Sequence, residues 1–220
     1  NGFGELCYVI PPGFTSTSVV DGDATFNELL YAYKYDAKGR QIKKKVPGKG
    51  WEWLVYNAND QVILAQDSVQ RTKANKEWSY LKYDAFGRTV ESGTLVASYA
   101  TQVAAQTAAD GHAASSNKHW EERTVVAKAA SPTPFTKYTN LSFPIQVRTP
   151  RQVNYYDDHR FESADTTGLA ISGLTYVDRN KTLLTGMRVF RDDGTSPTMT
   201  VNYYDERARL VQSVSQNHLG

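Results

Sequence analysis

One short motif recurs along this chain: a strand-like run ends in Tyr-Asp or a close variant and is followed by residues that reverse the chain. The two clearest copies span residues 33–42 and 81–90, and both contain Tyr-Asp-x-x-Gly-Arg. Weaker copies span residues 54–61, 154–160 and 202–210. Repetition of this kind specifies a repeated structural unit before any function is considered. We therefore expect a fold built from one type of hairpin.

The residues of the first clear copy together specify a hairpin. Tyr33 and Tyr35 are two residues apart, so they share one face of a strand. Asp36 takes the first position of a type I turn, where its carboxylate accepts the backbone N–H two residues on. Gly39 falls where a positive φ turns the chain back, and Arg40 starts the return strand.

The imperfect copies test this interpretation. Asn57 and Asp60 replace the Asp and Gly of the motif in the second copy, and both residue types tolerate the left-handed region. We predict positive φ at Asp60 and at both motif glycines. Arg160 and Ala208 take the glycine position in the fourth and last copies, so we expect those two turns to have another geometry. Residues 1–4 align with the turn of the motif, which suggests a fragment of a longer protein that opens within a repeat.

The sequence assigns a structural role to the motif positions and assigns no residue to catalysis, to a cofactor or to a metal. The repeated arginines Arg40 and Arg88 are expected to pair with Tyr and Asp of neighbouring units. The structural repeat residues are Tyr35, Asp36, Gly39, Arg40, Tyr56, Asn57, Asp60, Tyr83, Asp84, Gly87, Arg88, Tyr156, Asp157, Tyr204, Asp205 and Arg209.

The Tyr-Asp-x-x-Gly-Arg string, followed by a β-branched or aliphatic residue, resembles the YD repeats of the RHS family. These are large secreted or surface-exposed proteins, mostly bacterial, with relatives among the animal teneurins. The strongest matches are residues 35–40 and 83–88. The motif copies cover about a quarter of the chain, and residues 96–150 carry none.

The resemblance implies a noncatalytic scaffold in a secreted or cell-surface bacterial protein. In that family, successive hairpins build a long curved sheet, and the largest members wind it into a shell that encloses a C-terminal toxin or presents an effector. The implied partners are the remainder of a longer chain, including adjacent YD repeats, and an enclosed effector domain. Members that release their cargo carry repeated Asp-Pro motifs. This sequence has no Asp-Pro pair, so neither processing nor toxin activity carries over.

We predict a mainly β fold, an antiparallel meander of these hairpins that forms a curved sheet with one Ala-rich helical insertion. Residues 1–96 are expected to form the first meander, with six strands in residues 28–96. Residues 97–130 are expected to form a helical or mobile insertion, and residues 131–220 further hairpins of the same sheet. The three segments are expected to form one structural unit.

The insertion is expected to contain two helices, one capped by Ser98 and ended by Gly111, and a short one at Lys118–Arg123. The natural candidates for exposed sheet edges are Gly4–Ile10 and Arg209–Val214, because neither carries an internal proline or dense charge. The other predicted strands are Arg123–Lys128, Phe143–Tyr156 and a last hairpin of Leu183–Phe190 and Thr198–Tyr204 around a turn at 192–194.

Composition and missing motifs exclude several function classes. A net charge of only +2 argues against nucleic acid as a partner. No apolar run approaches the ~20 residues that a membrane-spanning helix needs. Cys7 is the single cysteine, so no internal disulfide forms, and the four histidines do not make a His-Glu-x-x-His zinc motif. No Gly-x-Ser-x-Gly elbow or phosphate-binding loop occurs.

Two alternatives to a scaffold stay open. In a carbohydrate-binding or adhesive module, Trp51 and Trp53 on one strand face would engage a glycan, although cross-strand packing is the commoner use of such a pair. The other is an enzyme with a site assembled across strands, for which the sequence offers no acid, base or nucleophile constellation. A glycosidase could use the adjacent carboxylates of residues 157–158 or 192–193, although neighbours on a strand point to opposite faces and Asp is a standard turn residue. The basic run at residues 43–45 is predicted to be a solvated strand rather than a patch for an anionic partner.

Overall fold

The computed structural model describes residues 2–15, 18–124, 136–161, 180–192 and 197–215. It is mainly β, and its eleven strands form one open antiparallel sheet in which every strand lies next to its neighbours in sequence. Three short helices interrupt the meander. The predicted fold class is confirmed. Among the described residues, no helix has the length and apolar character needed to span a membrane.

The strands are β1 Tyr8–Val9, β2 Tyr31–Tyr35, β3 Gln41–Lys45, β4 Glu52–Tyr56, β5 Val62–Gln66, β6 Glu77–Tyr83, β7 Thr89–Val96, β8 Arg148–Asp157, β9 Asn180–Val189, β10 Thr198–Tyr204 and β11 Leu210–Ser215. The helices are α1 Ala24–Leu29, α2 Ser68–Thr72 and α3 Gln102–Ser116. The six predicted strands of residues 28–96 are β2 to β7. The sheet ends at β1 and β11, which are the two predicted edges.

The chain divides into two compact units, each with its own apolar core. The first contains Asn1–Tyr80 and Leu95–His119, and the second contains Leu81–Thr94 and Trp120–Gly220. In the first unit, Phe26, Leu30 and Ala32 are buried together, with Trp51 packed against them. The core of the second unit consists of Val90, Tyr138, Val153, Tyr155, Phe161 and Phe190.

The start of the six-strand region was predicted wrongly, because residues 28–29 end a helix instead of starting a strand. Asp23 caps this helix, α1, by accepting a hydrogen bond from the backbone N–H of Phe26 at 2.5 Å. The helix places the Phe26 ring in the core, and the strand β2 begins only at Tyr31. A side-chain cap and one buried ring therefore outweigh the strand-like sequence that follows.

The Ala-rich insertion forms the predicted helix, but both of its predicted ends are wrong. The Thr101 side chain, not Ser98, caps α3 by accepting from the Ala104 N–H. The helix continues through Gly111 to Ser116, and Asn117 ends it in the left-handed conformation with φ 51°. Asparagine tolerates that conformation, so a glycine was not needed at the end of the helix.

The second predicted helix, at residues 118–123, does not form. In its place Glu121 and Arg123 make isolated bridges to Asp84 and Tyr138. The strand predicted from residue 143 begins later, at Arg148. Most of the strand predicted at 123–128 and the turn at 193–194 lie outside the described residues. The predicted pair of strands Leu183–Phe190 and Thr198–Tyr204 forms as β9 and β10, with Met199 paired to Arg188.

Candidate functional site

Three of the motif turns share one set of hydrogen bonds, built around Asp36, Asp84 and Asp205. In each turn, one carboxylate oxygen accepts the backbone N–H groups two and four residues on, at 2.9–3.0 Å. The other oxygen accepts from the Nε of the motif arginine at 2.7 Å. The aspartate N–H also donates to the arginine carbonyl at 3.0 Å. The aspartate therefore fixes both the turn and the direction of the arginine side chain.

The predicted backbone conformation of these turns is confirmed, with one correction. Gly39 has φ 75°, Gly87 has φ 77° and Asp60 has φ 59°. Ala208 was expected to give another geometry, yet it has φ 60° and its turn makes the same hydrogen bonds. The hydrogen bonds to Asp205 thus hold an alanine in the left-handed region, at a cost of roughly 1–2 kcal/mol.

Two copies depart from the pattern. In the second copy, the Asn57 side-chain oxygen accepts from the N–H groups of Asn59 and Gln61 as an aspartate would, and its amide donates to Gln61. The fourth copy has another geometry, as predicted. There Asp157 itself has φ 74°, and Asp158, not Asp157, accepts the Arg160 N–H.

The first motif arginine joins its own hairpin to the next one. The Arg40 guanidinium lies over the Tyr56 ring, 4.8 Å from its centroid, and donates to the Asp60 carboxylate at 2.8 Å. In the opposite direction, the Tyr56 hydroxyl donates to the carbonyl of Gln41, the residue after Arg40, at 2.7 Å. We call this reciprocal arrangement of arginine, tyrosine ring, acid and tyrosine hydroxyl a clip.

The second motif arginine forms a stronger clip with the strand β8. The Arg88 guanidinium lies 4.3 Å from the centroid of the Tyr156 ring and binds both carboxylate oxygens of Asp157, at 2.9 and 2.7 Å. The Tyr156 hydroxyl donates to the carbonyl of Thr89, the residue after Arg88, at 3.2 Å. The expected pairing of both arginines with Tyr and Asp of neighbouring units is therefore confirmed.

The tyrosine half of a clip also occurs elsewhere. The Tyr35 hydroxyl donates to the Leu6 carbonyl at 3.0 Å, and the Tyr204 hydroxyl donates to the Leu184 carbonyl at 2.8 Å. Four of the motif tyrosines therefore tie their hairpin to an earlier segment of the chain. Tyr83 accepts at its backbone carbonyl the N–H of Glu121, at 2.8 Å.

Three carboxylates that accept hydrogen bonds from motif arginines have lowered pKa values. Hydrogen bonds from Arg88 hold the pKa of Asp157 below its usual value, against the opposite effect of burial. Burial alone would raise the pKa of Asp36, but hydrogen bonds from the backbone and side chain of Arg40 outweigh it and lower the pKa. The hydrogen bond from the Arg209 side chain lowers the pKa of Asp205 to about 2.

The last turn contains half of a clip. Arg209 pairs with Asp205 as Arg40 and Arg88 pair with their own turn aspartates, with an NH2–Oδ2 distance of 2.6 Å. Its side chain is 69% exposed, whereas those of Arg40 and Arg88 are 15% and 20% exposed. Within the described residues, no tyrosine ring lies over Arg209 and no second acid pairs with it.

A buried ion network next to the second clip was not predicted. Lys82 donates to the Glu121 carboxylate at 2.6 Å and to the Asn140 side-chain oxygen at 2.7 Å. The same Asn140 oxygen accepts from Arg148, which also pairs with Glu91. The side chains of both ion pairs are fully buried. Burial lowers the pKa of Lys82 to about 8, with Glu121 opposing the shift.

One signal in the sequence pointed to part of this network. Residues two apart on a strand share a face, so Trp78 and Tyr80 place Lys82 on the buried face of β6. All three are at most 1% exposed. Glu121 and Arg148 carried no such signal, because they lie outside any alternating pattern.

The basic run at residues 43–45 and the tryptophans Trp51 and Trp53 make contacts within the fold. The basic run is only partly a solvated strand, which corrects the prediction: Lys45 is buried and donates to the carbonyls of Phe26 and Leu30 at the end of α1. Such a donor supplies hydrogen bonds to carbonyls in the last turn of the helix. The Trp51 ring faces the Lys34 amine at 4.9 Å, and the Trp53 ring faces the Arg71 guanidinium at 4.3 Å.

Asp157 and Asp158 do not form a joint site, and Asp193, the neighbour of Asp192, lies outside the described residues. Asp157 binds Arg88, while Asp158 binds Arg123 at 3.0 Å, so each carboxylate has its own arginine. Asp192 is fully exposed, 3.3 Å from Arg151. No group of three or more His, Cys, Asp or Glu side chains that is suited to a metal occurs in the part of the chain that the structure describes.

A pocket of about 190 Å³ borders the second clip. Its lining includes the exposed rings of Phe86 and Trp120 together with Arg88, Arg123 and Asp157. The pocket thus combines aromatic faces with charged groups.

No family model matches this chain, and a search of curated proteins found no match.

Proposed function

We propose that this chain is a noncatalytic scaffold of the RHS type, a piece of the β wall of a secreted or cell-surface bacterial protein. The observation that supports this proposal is the clip, because it uses the motif residues to join one hairpin to the next. A residue set that recurs as a fastener between neighbouring strands is suited to extending a sheet. The motif residues of the two clips are used in contacts within the fold.

The same proposal names the partners. A sheet of this kind would continue into adjacent YD repeats of a longer chain, and its wall would enclose or present an effector domain. Long arrays of repeats gain stability from the contacts between neighbouring units. The clip supplies such a contact at each hairpin junction where the full motif is present.

A double-mutant cycle tests whether the motif is a fastener. We expect Arg88→Met and Asp157→Asn to show a coupling free energy of about 1–2 kcal/mol in urea unfolding, because the two side chains share two charge-assisted hydrogen bonds. The pair of Arg151 and the exposed Asp192 is a matched control and should show almost none. A coupling between Arg88 and Asp157 as small as in the control would contradict the fastener role.

The full reading frame of the parent gene should contain further Tyr-Asp copies.

A carbohydrate-binding module is the second candidate, favoured by the pocket at Phe86 and Trp120. Aromatic faces beside carboxylates and guanidinium groups suit the apolar faces and hydroxyls of a sugar. A glycan array followed by a titration of Trp fluorescence tests it. Glycan binding that is lost in Trp120→Ala would favour this function over a scaffold. If no glycan on the array is bound, the scaffold remains the proposed function.

A further inference from the structure

The hairpin of β10 and β11 holds an arginine in clip geometry, and among the described residues no tyrosine ring or second acid contacts it. Arg209 is fixed by two contacts with the Asp205 carboxylate, from Nε at 2.7 Å and from NH2 at 2.6 Å. Arg40 and Arg88 make the same contacts with their own turns, and each also holds a Tyr and an acid of the next strand. The guanidinium of Arg209 is thus oriented before any partner arrives.

The strand that follows Arg209 is also an open edge. Among the described residues, β11 pairs with β10 alone. In an antiparallel sheet, an edge strand directs every second pair of N–H and C=O groups outward. Edge strands are usually blunted by charges or proline, yet Leu210–Ser215 has neither, and Leu210 is 55% exposed.

The molecule itself shows what fits such an edge. At β3 and at β7, the strand that pairs alongside ends in Tyr-Asn or Tyr-Asp. Its tyrosine ring lies under the arginine, and its hydroxyl reaches the carbonyl one residue after that arginine. At the hairpin of β10 and β11, the corresponding carbonyl belongs to Leu210. The same three groups, namely an oriented guanidinium, a carbonyl and a strand edge, are present there.

We propose that Arg209 and the outer edge of β11 form a docking site for an extended segment that ends in Tyr-Asp. The occupant is the outgoing strand of a further repeat, and this identification rests on the proposed scaffold function. The strand adds to the sheet edge through backbone hydrogen bonds, which give affinity but little selectivity. The tyrosine and the aspartate give the selectivity, because the ring stacks on Arg209 and the carboxylate pairs with it.

The probe for this site is a synthetic peptide with the sequence of residues 151–158, which closes the Arg88 clip within the molecule. We expect it to shift the backbone amide NMR signals of Leu210–Ser215 and the Nε signal of Arg209 in ¹⁵N-labelled protein. Arg209→Met should weaken binding by about tenfold, because the stacking and the ion pair are both lost. The matched control Arg207→Met removes the same charge from the same turn and should leave binding within about threefold. Peptides carrying Tyr156→Phe or Asp157→Asn should also bind more weakly.

Several results would overturn the proposal. Absence of binding at millimolar peptide would do so, as would equal binding by the Arg209→Met protein. Signal changes centred on Tyr8 and Val9, at the opposite edge, would show that any open strand suffices. A protein dimer that excludes the peptide and is unaffected by Arg209→Met would assign the edge to a second copy of this chain. Coupling between Arg88 and Asp157 without peptide binding would retain the scaffold and reject only the docking site.

Discussion

The clips at Arg40 and at Arg88 start from the same type of turn, but the side chains that lie beside them differ. Beside the first, a neutral amide completes the backbone hydrogen bonds: the Gln106 side chain accepts from the Tyr56 N–H and donates to the Tyr56 carbonyl, at 2.9 and 2.8 Å. Beside the second lies the buried ion pair of Lys82 and Glu121, and the Glu121 N–H donates to the Tyr83 carbonyl, next to the turn aspartate. The turn recurs because the motif residues recur, whereas the side chains beside it are different in each unit.

The difference extends to the two buried lysines. Lys45 in the first unit donates to neutral carbonyl groups, namely those at the end of α1 and that of Val46. Lys82 in the second unit faces a carboxylate that also accepts hydrogen bonds from Ser142 and Thr139. Removing one member of a buried ion pair leaves an uncompensated charge, which is more costly than an unpaired carbonyl. The second unit should therefore be more sensitive to loss of its lysine.

The largest expected effect is that of Lys82→Met. It should lower the free energy of unfolding by about 3–5 kcal/mol, because the Glu121 carboxylate stays buried without its opposite charge. Lys45→Met, the matched change in the first unit, should cost about 1–3 kcal/mol. Urea unfolding at pH 7 measures both. Adding Glu121→Gln to Lys82→Met should recover part of the loss, and equal losses for the two lysines would break the comparison between the units.

The two clip arginines should differ in the same direction. Arg88 makes two hydrogen bonds to the next hairpin's acid, whereas Arg40 makes one, to an Asp60 that is 59% exposed. We expect Arg88→Met to lower the free energy of unfolding by about 2–3 kcal/mol and Arg40→Met by about 1–2 kcal/mol. Thermal and urea unfolding of the two variants side by side measure the difference. The Arg88 guanidinium is also closer to its tyrosine ring, at 4.3 Å against 4.8 Å, so a larger loss for Arg40→Met would contradict the expected order of the two clips.

Local features of this fold were readable from sequence, and distant ones were not. The turn at Asp36 is encoded within five residues, so its hydrogen bonds and the sign of φ at Gly39 followed from side-chain chemistry. The partner of Arg88 is Asp157, 69 positions further on, and only the strand order brings them together. Lys45 was assigned to solvent because its partners are backbone carbonyls of a helix that was not predicted. Ala208 was misjudged because the hydrogen bonds of its turn outweigh its own conformational preference.

The buried lysine also predicts how stability depends on pH. The pKa of Lys82 is about 8 in the folded chain and 10.5 ordinarily. Between these two values the unfolded chain binds more protons than the folded chain, so stability rises with pH in this window. Wild type should therefore gain stability from pH 8 to pH 10 relative to the double variant Lys82→Met and Glu121→Gln, as urea midpoints at each pH will show. If the free energies of unfolding of the two proteins changed equally with pH, Lys82 would keep its ordinary pKa in the folded chain.

The smallest expected effect concerns the last turn, where an alanine stands in place of the motif glycine. Ala208 has φ 60° in a turn whose hydrogen bonds match those of Gly39 and Gly87. Ala208→Gly should relieve left-handed strain and raise the free energy of unfolding by about 0.5–1 kcal/mol, since the flexibility of glycine in the unfolded chain offsets part of the gain. Gly87→Ala is the mirror test and should lower stability by a similar amount. Chemical unfolding of both variants checks the pair. A loss of stability in Ala208→Gly would show that the last turn, alone among the three, depends on the stiffness of its alanine.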